Sequence, residues 1–108
     1  QGKKPVMPTF KEKYNITGAL VSAVDLTKGL GIYAGFEILN VPGITGYIDT
    51  NYYAKAEYSL DALLRHDLVY IHVEAPDETG HIGDYKLKIK AIEDFDELLI
   101  GAILKGAE

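Results

Sequence analysis

Apolar residues in this chain fall into short continuous runs, separated by stretches where they recur every three or four positions. Ala19-Leu20-Val21-Ser22-Ala23-Val24 is apolar enough to be a strand buried on both faces. Phe36 to Val41 repeats the signal and ends at Pro42-Gly43, and Leu68 to Glu74 is a third run, stopped by Pro76. Between the runs the period is helical. Thr9 can cap a short helix through Tyr14, after which Asn15 to Gly18 make a turn. Asp25 is placed to cap a helix with the stripe Leu26, Leu30, Tyr33 and Ala34, closed by Gly35. Asp49 or Thr50 would cap a longer helix packed through Tyr53, Ala56, Leu60, Leu63 and Leu64. Asp84 opens a last helix towards Leu104, with Ile92, Phe95, Leu99 and Ile103 inside and Lys86, Lys90, Glu93, Asp94 and Glu97 facing water. The residues up to Pro8 read as extended, and 44–48 as loop.

Strands alternating with helices predict an α/β fold: a mainly parallel sheet with helices on both faces, in three layers. Three parallel strands make a thin sheet with an open edge, and an open edge invites pairing with more sheet. The chain begins Gln1-Gly2-Lys3-Lys4-Pro5 without an initiator Met, which reads as the middle of a longer protein. The expectation is therefore a single partial domain over residues 1–108. Eight tyrosines and an exposed edge also make self-association an expectation for such a piece.

Composition narrows the function classes. At 47% apolar and 25% charged the chain is globular in type, and no run of apolar residues is long enough to span a membrane. The net charge of −5 is the wrong sign for a nucleic-acid footprint. With no cysteine, disulfides and thiolate metal sites are excluded. A cytoplasmic location is the default expectation.

The candidate chemistry gathers where the third strand ends. Asp77-Glu78-Thr79-Gly80-His81 reads as a loop at the carboxyl end of a parallel strand, the edge where ligands collect in open α/β sheets. A carboxylate and an imidazole four positions apart suit a borderline-to-hard divalent ion, with Gly80 allowing close approach. The plainer reading is that Asp77 caps a turn and His81 is solvated. On the same rim, Lys28 could hold a phosphate or carboxylate as a point charge, or be a solvated helix residue. Gly29-Leu30-Gly31-Ile32-Tyr33-Ala34 fits a loose dinucleotide fingerprint, with Asp49 about twenty residues on. Its context is wrong, because Asp25 to Lys28 separate it from the strand, and close helix packing explains such glycines better. His72 reads as a packed or neighbour-bonded strand residue, and His66 as a favourable charge near a helix C-terminus.

Four blocks point to one family. They are Ser22-Ala23-Val24-Asp25-Leu26-Thr27-Lys28-Gly29, the stretch from Val41-Pro42-Gly43 through Tyr47-Ile48-Asp49-Thr50-Asn51-Tyr52, the stretch from His72-Val73-Glu74-Ala75-Pro76-Asp77 through His81-Ile82-Gly83-Asp84, and Leu87-Lys88-Ile89-Lys90-Ala91-Ile92-Glu93-Asp94-Phe95-Asp96. In this order they resemble the archaeal-type, 2,3-bisphosphoglycerate-independent phosphoglycerate mutases. That resemblance implies an alkaline-phosphatase-like α/β domain with two divalent ions, manganese or magnesium. It also implies a serine nucleophile that carries the phosphoryl group between the hydroxyls of phosphoglycerate. Asp77 and His81 match the family's aspartate and histidine that bind one ion, and Lys28 matches a substrate-contacting lysine. The family's serine and its Asp-His dipeptide have no counterpart here, where only His66-Asp67 occurs. The resemblance thus implies a central piece that is inactive alone and needs the rest of its polypeptide. Competing readings are a kinase-like or phosphatase relative on the same scaffold, a nucleotide-binding module, and a non-enzymatic α/β binding module.

Overall fold

The computed structural model describes residues 2–3 and 6–108. The expected extended opening falls partly on Gln1, Lys4 and Pro5, which lie outside them, while 2–3 and 6–8 form neither helix nor strand. The elements are α1 (Phe10–Tyr14), β1 (Gly18–Val21), α2 (Asp25–Tyr33), β2 (Glu37–Ile38), α3 (Tyr52–Ala62), β3 (Leu68–Ile71), α4 (Ala75–Ile82), α5 (Tyr85–Asp94), a π-helical stretch (Phe95–Ile100) and α6 (Gly101–Gly106). Among the described residues the strands form one parallel sheet in the order β2-β1-β3, with Leu20 opposite Ile38 on one side and Tyr70 on the other.

Both crossovers start from this order. The chain moves from β1 to β2 in one direction and from β2 past β1 to β3 in the other, so crossovers of one hand put α2 and α3 on opposite faces. Side-chain alternation along β1 agrees. Ala19 and Val21 pack with Leu39, Val41 and the α3 residues Ala54 and Ala62, whereas Leu20 meets Gly31 of α2. The three-layer α/β architecture expected from the sequence is present. The strands are shorter than expected, and β1 shows why. The Ser22 hydroxyl accepts a 3.0 Å hydrogen bond from the Val24 amide, turning the chain out of the ladder one residue after Val21.

Several helix faces differ from the leucine periodicity. On α2, Leu26 and Leu30 are 73% and 60% exposed, and the buried residue is Gly31. A Cβ at position 31 would lie 2.7 Å from Leu20 Cδ2, so the helix sits close enough to the sheet that any side chain here would have to displace Leu20. On α3 the buried residues are Tyr52, Ala54, Lys55, Ala56, Ser59 and Ala62. Of the expected face only Ala56 is buried, Leu60 is half-buried, and Tyr53, Leu63 and Leu64 point outward. Close packing on Ala19 and Val21 selects the small side chains of α3. The leucines are left on surfaces that these residues do not cover. Leu68 and Tyr70 of β3 stay exposed beside α2, bordering an open apolar depression of ≈ 340 Å³ with Leu20, Leu30 and Phe36.

Capping follows the sequence at both ends of the chain. Thr9 and Glu12 form a reciprocal capping box on α1, and the Asp84 carboxylate accepts from the Lys86 and Leu87 amides. In the middle it departs. Asn51, not Asp49 or Thr50, caps α3 by accepting from the Ala54 amide, while Asp49 accepts from the Thr45 hydroxyl. Asp25 lies inside α2, whose N-cap is Val24 with no side-chain cap.

The last helix runs on through α5, the π stretch and α6. Leu99, 1% exposed, packs on Tyr52 and Ala56 of α3, with Phe95 and Ile103 against the same cluster. Ile92 was expected there too, but it is exposed and Ala91 is buried instead. A π turn holds more residues than an α turn, so the phase slips by about one position across 95–100. Counting back from Leu99 at the α-helical period therefore lands on the wrong residue.

Candidate functional site

Asp77 and His81 do not lie in a loop. Pro76 occupies the first turn of α4, where its missing N–H costs nothing, and the helix continues to Ile82 before Gly83 ends it in the left-handed conformation. The four-residue spacing thus becomes one helical turn, placing both side chains on one face. Asp77 Oδ2 and His81 Nε2 are 3.2 Å apart, each side chain about seven-tenths exposed. Two donors held at about 2.1 Å by one octahedral ion stand about 3 Å apart, so the pair fits two neighbouring positions around a single cation. The carboxylate oxygen suits manganese or magnesium and the imidazole nitrogen suits a borderline ion such as zinc, so the mixed pair admits a divalent cation without selecting one. Among the described residues no group of three or more histidine and acidic side chains converges, so the chain offers two ligands and no closed cage.

Neighbouring contacts fix α4 in place. The buried Thr79 hydroxyl donates to the Ala75 carbonyl at 2.9 Å. Lys88 of α5 reaches back to donate to the Pro76 carbonyl at 2.6 Å. Its Nζ lies 3.2 Å from where a Cβ at Gly80 would be, so the close approach that Gly80 permits is taken by this ammonium.

Lys28 is on the same rim but in a different recess. With Leu39, Asn40, Val41, Pro42, Ile44 and Tyr58 it lines an open depression of ≈ 380 Å³ that includes neither Asp77 nor His81. The structure brings the aspartate and the histidine together and leaves the lysine on the β2 side. Gly29 and Gly31 are both interior to α2, with Gly31 pressed on Leu20, which is the packing role and not a phosphate-binding turn.

The order β2-β1-β3 makes the gap between β1 and β3 the topological switch point, where α/β proteins place ligands. A polar cluster fills it. Ser22, fully buried, lies 3.5 Å from His72 Nδ1, joining the ends of the two strands. Lys55, 1% exposed, sends its ammonium from α3 to the His72 carbonyl at 3.4 Å. Burial pushes the Lys55 ammonium below the ordinary lysine value, against the upward pull of the Glu74 carboxylate. Glu74 in turn rests on Gly46, where a Cβ would lie 2.6 Å from Oε2. The sequence reading found His72 as a neighbour-bonded residue but missed Lys55 and Glu74. The signal for Lys55 was its place among Ala54, Ala56, Ser59 and Ala62, the small residues that mark the inner face of α3.

Comparison with known proteins gives the chain a family. A family model described as the metalloenzyme superfamily matches residues 1–108, and the chain belongs to that family. Over all 108 residues it is 56% identical to the 2,3-bisphosphoglycerate-independent phosphoglycerate mutase of Methanosarcina acetivorans, covering 27% of that relative. A probable enzyme of the same name from Geobacter sulfurreducens is 55% identical over 99% of this chain and 27% of its own length. Among solved structures, a cofactor-independent phosphoglycerate mutase from Thermoplasma acidophilum superposes with a TM-score of 0.69 at 32% identity, over 87% of this chain and 22% of that one. A Pyrococcus horikoshii protein superposes at 0.88 with 35% identity, over 94% of this chain and 31% of that one. The chain thus spans about a quarter of the length of the curated relatives it matches. No helix among the described residues is long and apolar enough to cross a membrane.

Proposed function

We propose that these residues are one partial domain, the central metal-binding part of a 2,3-bisphosphoglycerate-independent phosphoglycerate mutase. The whole polypeptide would interconvert 3-phosphoglycerate and 2-phosphoglycerate through a phosphoserine on a residue outside this chain, working in the cytoplasm with two divalent ions, manganese or magnesium. When bound, such ions neutralise charge on the phosphoryl oxygens. Asp77 and His81 hold one of them, and Lys28 contacts the anionic substrate.

The observation that carries this reading is the paired carboxylate and imidazole, 3.2 Å apart on the helix that leaves the last strand of a metalloenzyme-superfamily sheet. The uncovered apolar surface around Leu26, Leu30, Leu68 and Tyr70 supports the partial-domain reading, since the remaining polypeptide would bury it. Left alone, the same surface favours self-association.

The test is His81→Ala in the full-length polypeptide, assayed with 3-phosphoglycerate and with simple phosphate esters. Transfer to phosphoglycerate is expected to be nearly abolished while circular dichroism and Tm stay at the wild-type values. Wild-type turnover by the variant at limiting manganese would remove the ligand assignment.

A further inference from the structure

Lys55 is the largest fully buried side chain among the described residues, and the metal pair itself does not use it. A buried ammonium is costly unless something requires it there, because desolvation disfavours the charge and the interior offers little in return. Among the described residues its ammonium reaches one acceptor, the His72 carbonyl at a long 3.4 Å, and the Glu74 carboxylate is the acid that favours its charge. The hydrogen-bonded carbonyl and the more distant carboxylate lie in the same short linker. Residues 72–74 connect the end of β3 at Ile71 to the start of α4 at Ala75, so they set where Asp77 and His81 stand relative to the sheet.

On its far side the linker packs against a second element. The Glu74 carboxylate occupies the space that any side chain at Gly46 would need, and so lies against the loop that precedes α3. The core lysine, the linker and the glycine form one continuous strut beneath the helix that carries the metal pair. Thr79 and Lys88 hold α4 internally and against α5, but they do not connect it to the sheet.

We propose that Lys55 is a positioning residue for the Asp77–His81 pair, its ammonium fixing the His72–Glu74 linker from inside the core while Gly46 leaves room for the Glu74 carboxylate. The proposal rests on the metal reading of Asp77 and His81. Neither Lys55 nor Gly46 touches the ion. Their loss acts by letting α4 shift, so a metal-affinity change must accompany any stability change.

The experiment measures manganese affinity of the full-length protein by electron paramagnetic resonance titration, well below the Tm of each variant. Lys55→Met, close in volume but uncharged, and Gly46→Ala, which evicts Glu74, are each expected to weaken manganese binding about tenfold. Their double variant is expected to be little weaker than either alone, since both break one strut. Asp77→Ala serves as the reference. If Asp77→Ala leaves manganese binding unchanged, the metal reading itself fails. If Asp77→Ala abolishes binding but Lys55→Met and Gly46→Ala stay within twofold of wild type, Lys55 has only a packing role and the proposal is overturned. Should Lys55→Met not fold, Gly46→Ala decides on the same criterion.

Discussion

His81 Nε2 lies 3.2 Å from Asp77 Oδ2, one turn along α4, with both side chains open to solvent. Two exposed ligands that approach each other without a third give a cation partial coordination and little shielding from competing water. The 108-residue chain alone is therefore expected to bind manganese weakly, with Kd in about the millimolar range, and to show no mutase activity. Isothermal titration with the purified chain, beside His81→Ala, checks this. Submicromolar binding, or turnover of 3-phosphoglycerate, would require a ligand set that the described residues do not supply.

The candidate site was legible in sequence to the extent that it is local. A spacing of four residues is read without knowing the fold, but only the helical turn of α4 brings Asp77 and His81 to 3.2 Å. What misled was Pro76, taken as the stop of a strand when it is the first turn of α4. The strut behind the site was not legible, because Lys55, His72 and Gly46 meet only through the crossover between β2 and β3. Hydrophobic periodicity failed for a related reason. It marks every apolar face, including those of α2 and α3 that these residues leave open, and so it ranked Leu26, Leu30 and Leu64 above the small residues that do the packing. The parallel sheet and the alternating layers survived, since strand runs and their helical connections constrain the fold class even when their ends are misread, while the order β2-β1-β3 came only from the structure.

Gly29 and Gly31 separate helix propensity from packing within a single turn. Nothing lies within 4 Å of a Cβ at position 29, so Gly29→Ala is expected to stabilise the chain by about 0.5–1 kcal/mol through lower backbone entropy in the unfolded state. At position 31 the added carbon would meet Leu20 Cδ2 at 2.7 Å and Ile38 Cδ1 at 3.1 Å. Leu20 is buried and cannot move aside freely, so Gly31→Ala is expected to destabilise by about 1 kcal/mol or more despite its better propensity. Urea denaturation of the two variants gives the signs directly. A destabilising Gly29→Ala, or a neutral Gly31→Ala, would contradict the packing seen between α2 and β1.

Glu37, at the start of edge strand β2, contacts His66 Nε2 at 2.8 Å and accepts from Arg65 at 3.2 Å, tying that edge to the turn after α3. The bond to His66, followed by Arg65, holds the Glu37 carboxyl below its ordinary value of 4.5, with partial desolvation working the other way. For an acid depressed on folding, the stabilisation is fully present above the unfolded value and is lost as pH falls through the folded one. Glu37→Gln is therefore expected to lower Tm modestly at pH 7, the carboxylate being partly exposed and screened. The gap between variant and wild type should close as pH drops below 4.5 and vanish once the carboxyl is protonated in both states. Raising the salt concentration at pH 7 should narrow it too, because the Arg65 pairing is open to solvent. A gap that stayed constant from pH 7 to pH 3 would mean that Glu37 acts through its shape and hydrogen-bonding capacity and not through its charge.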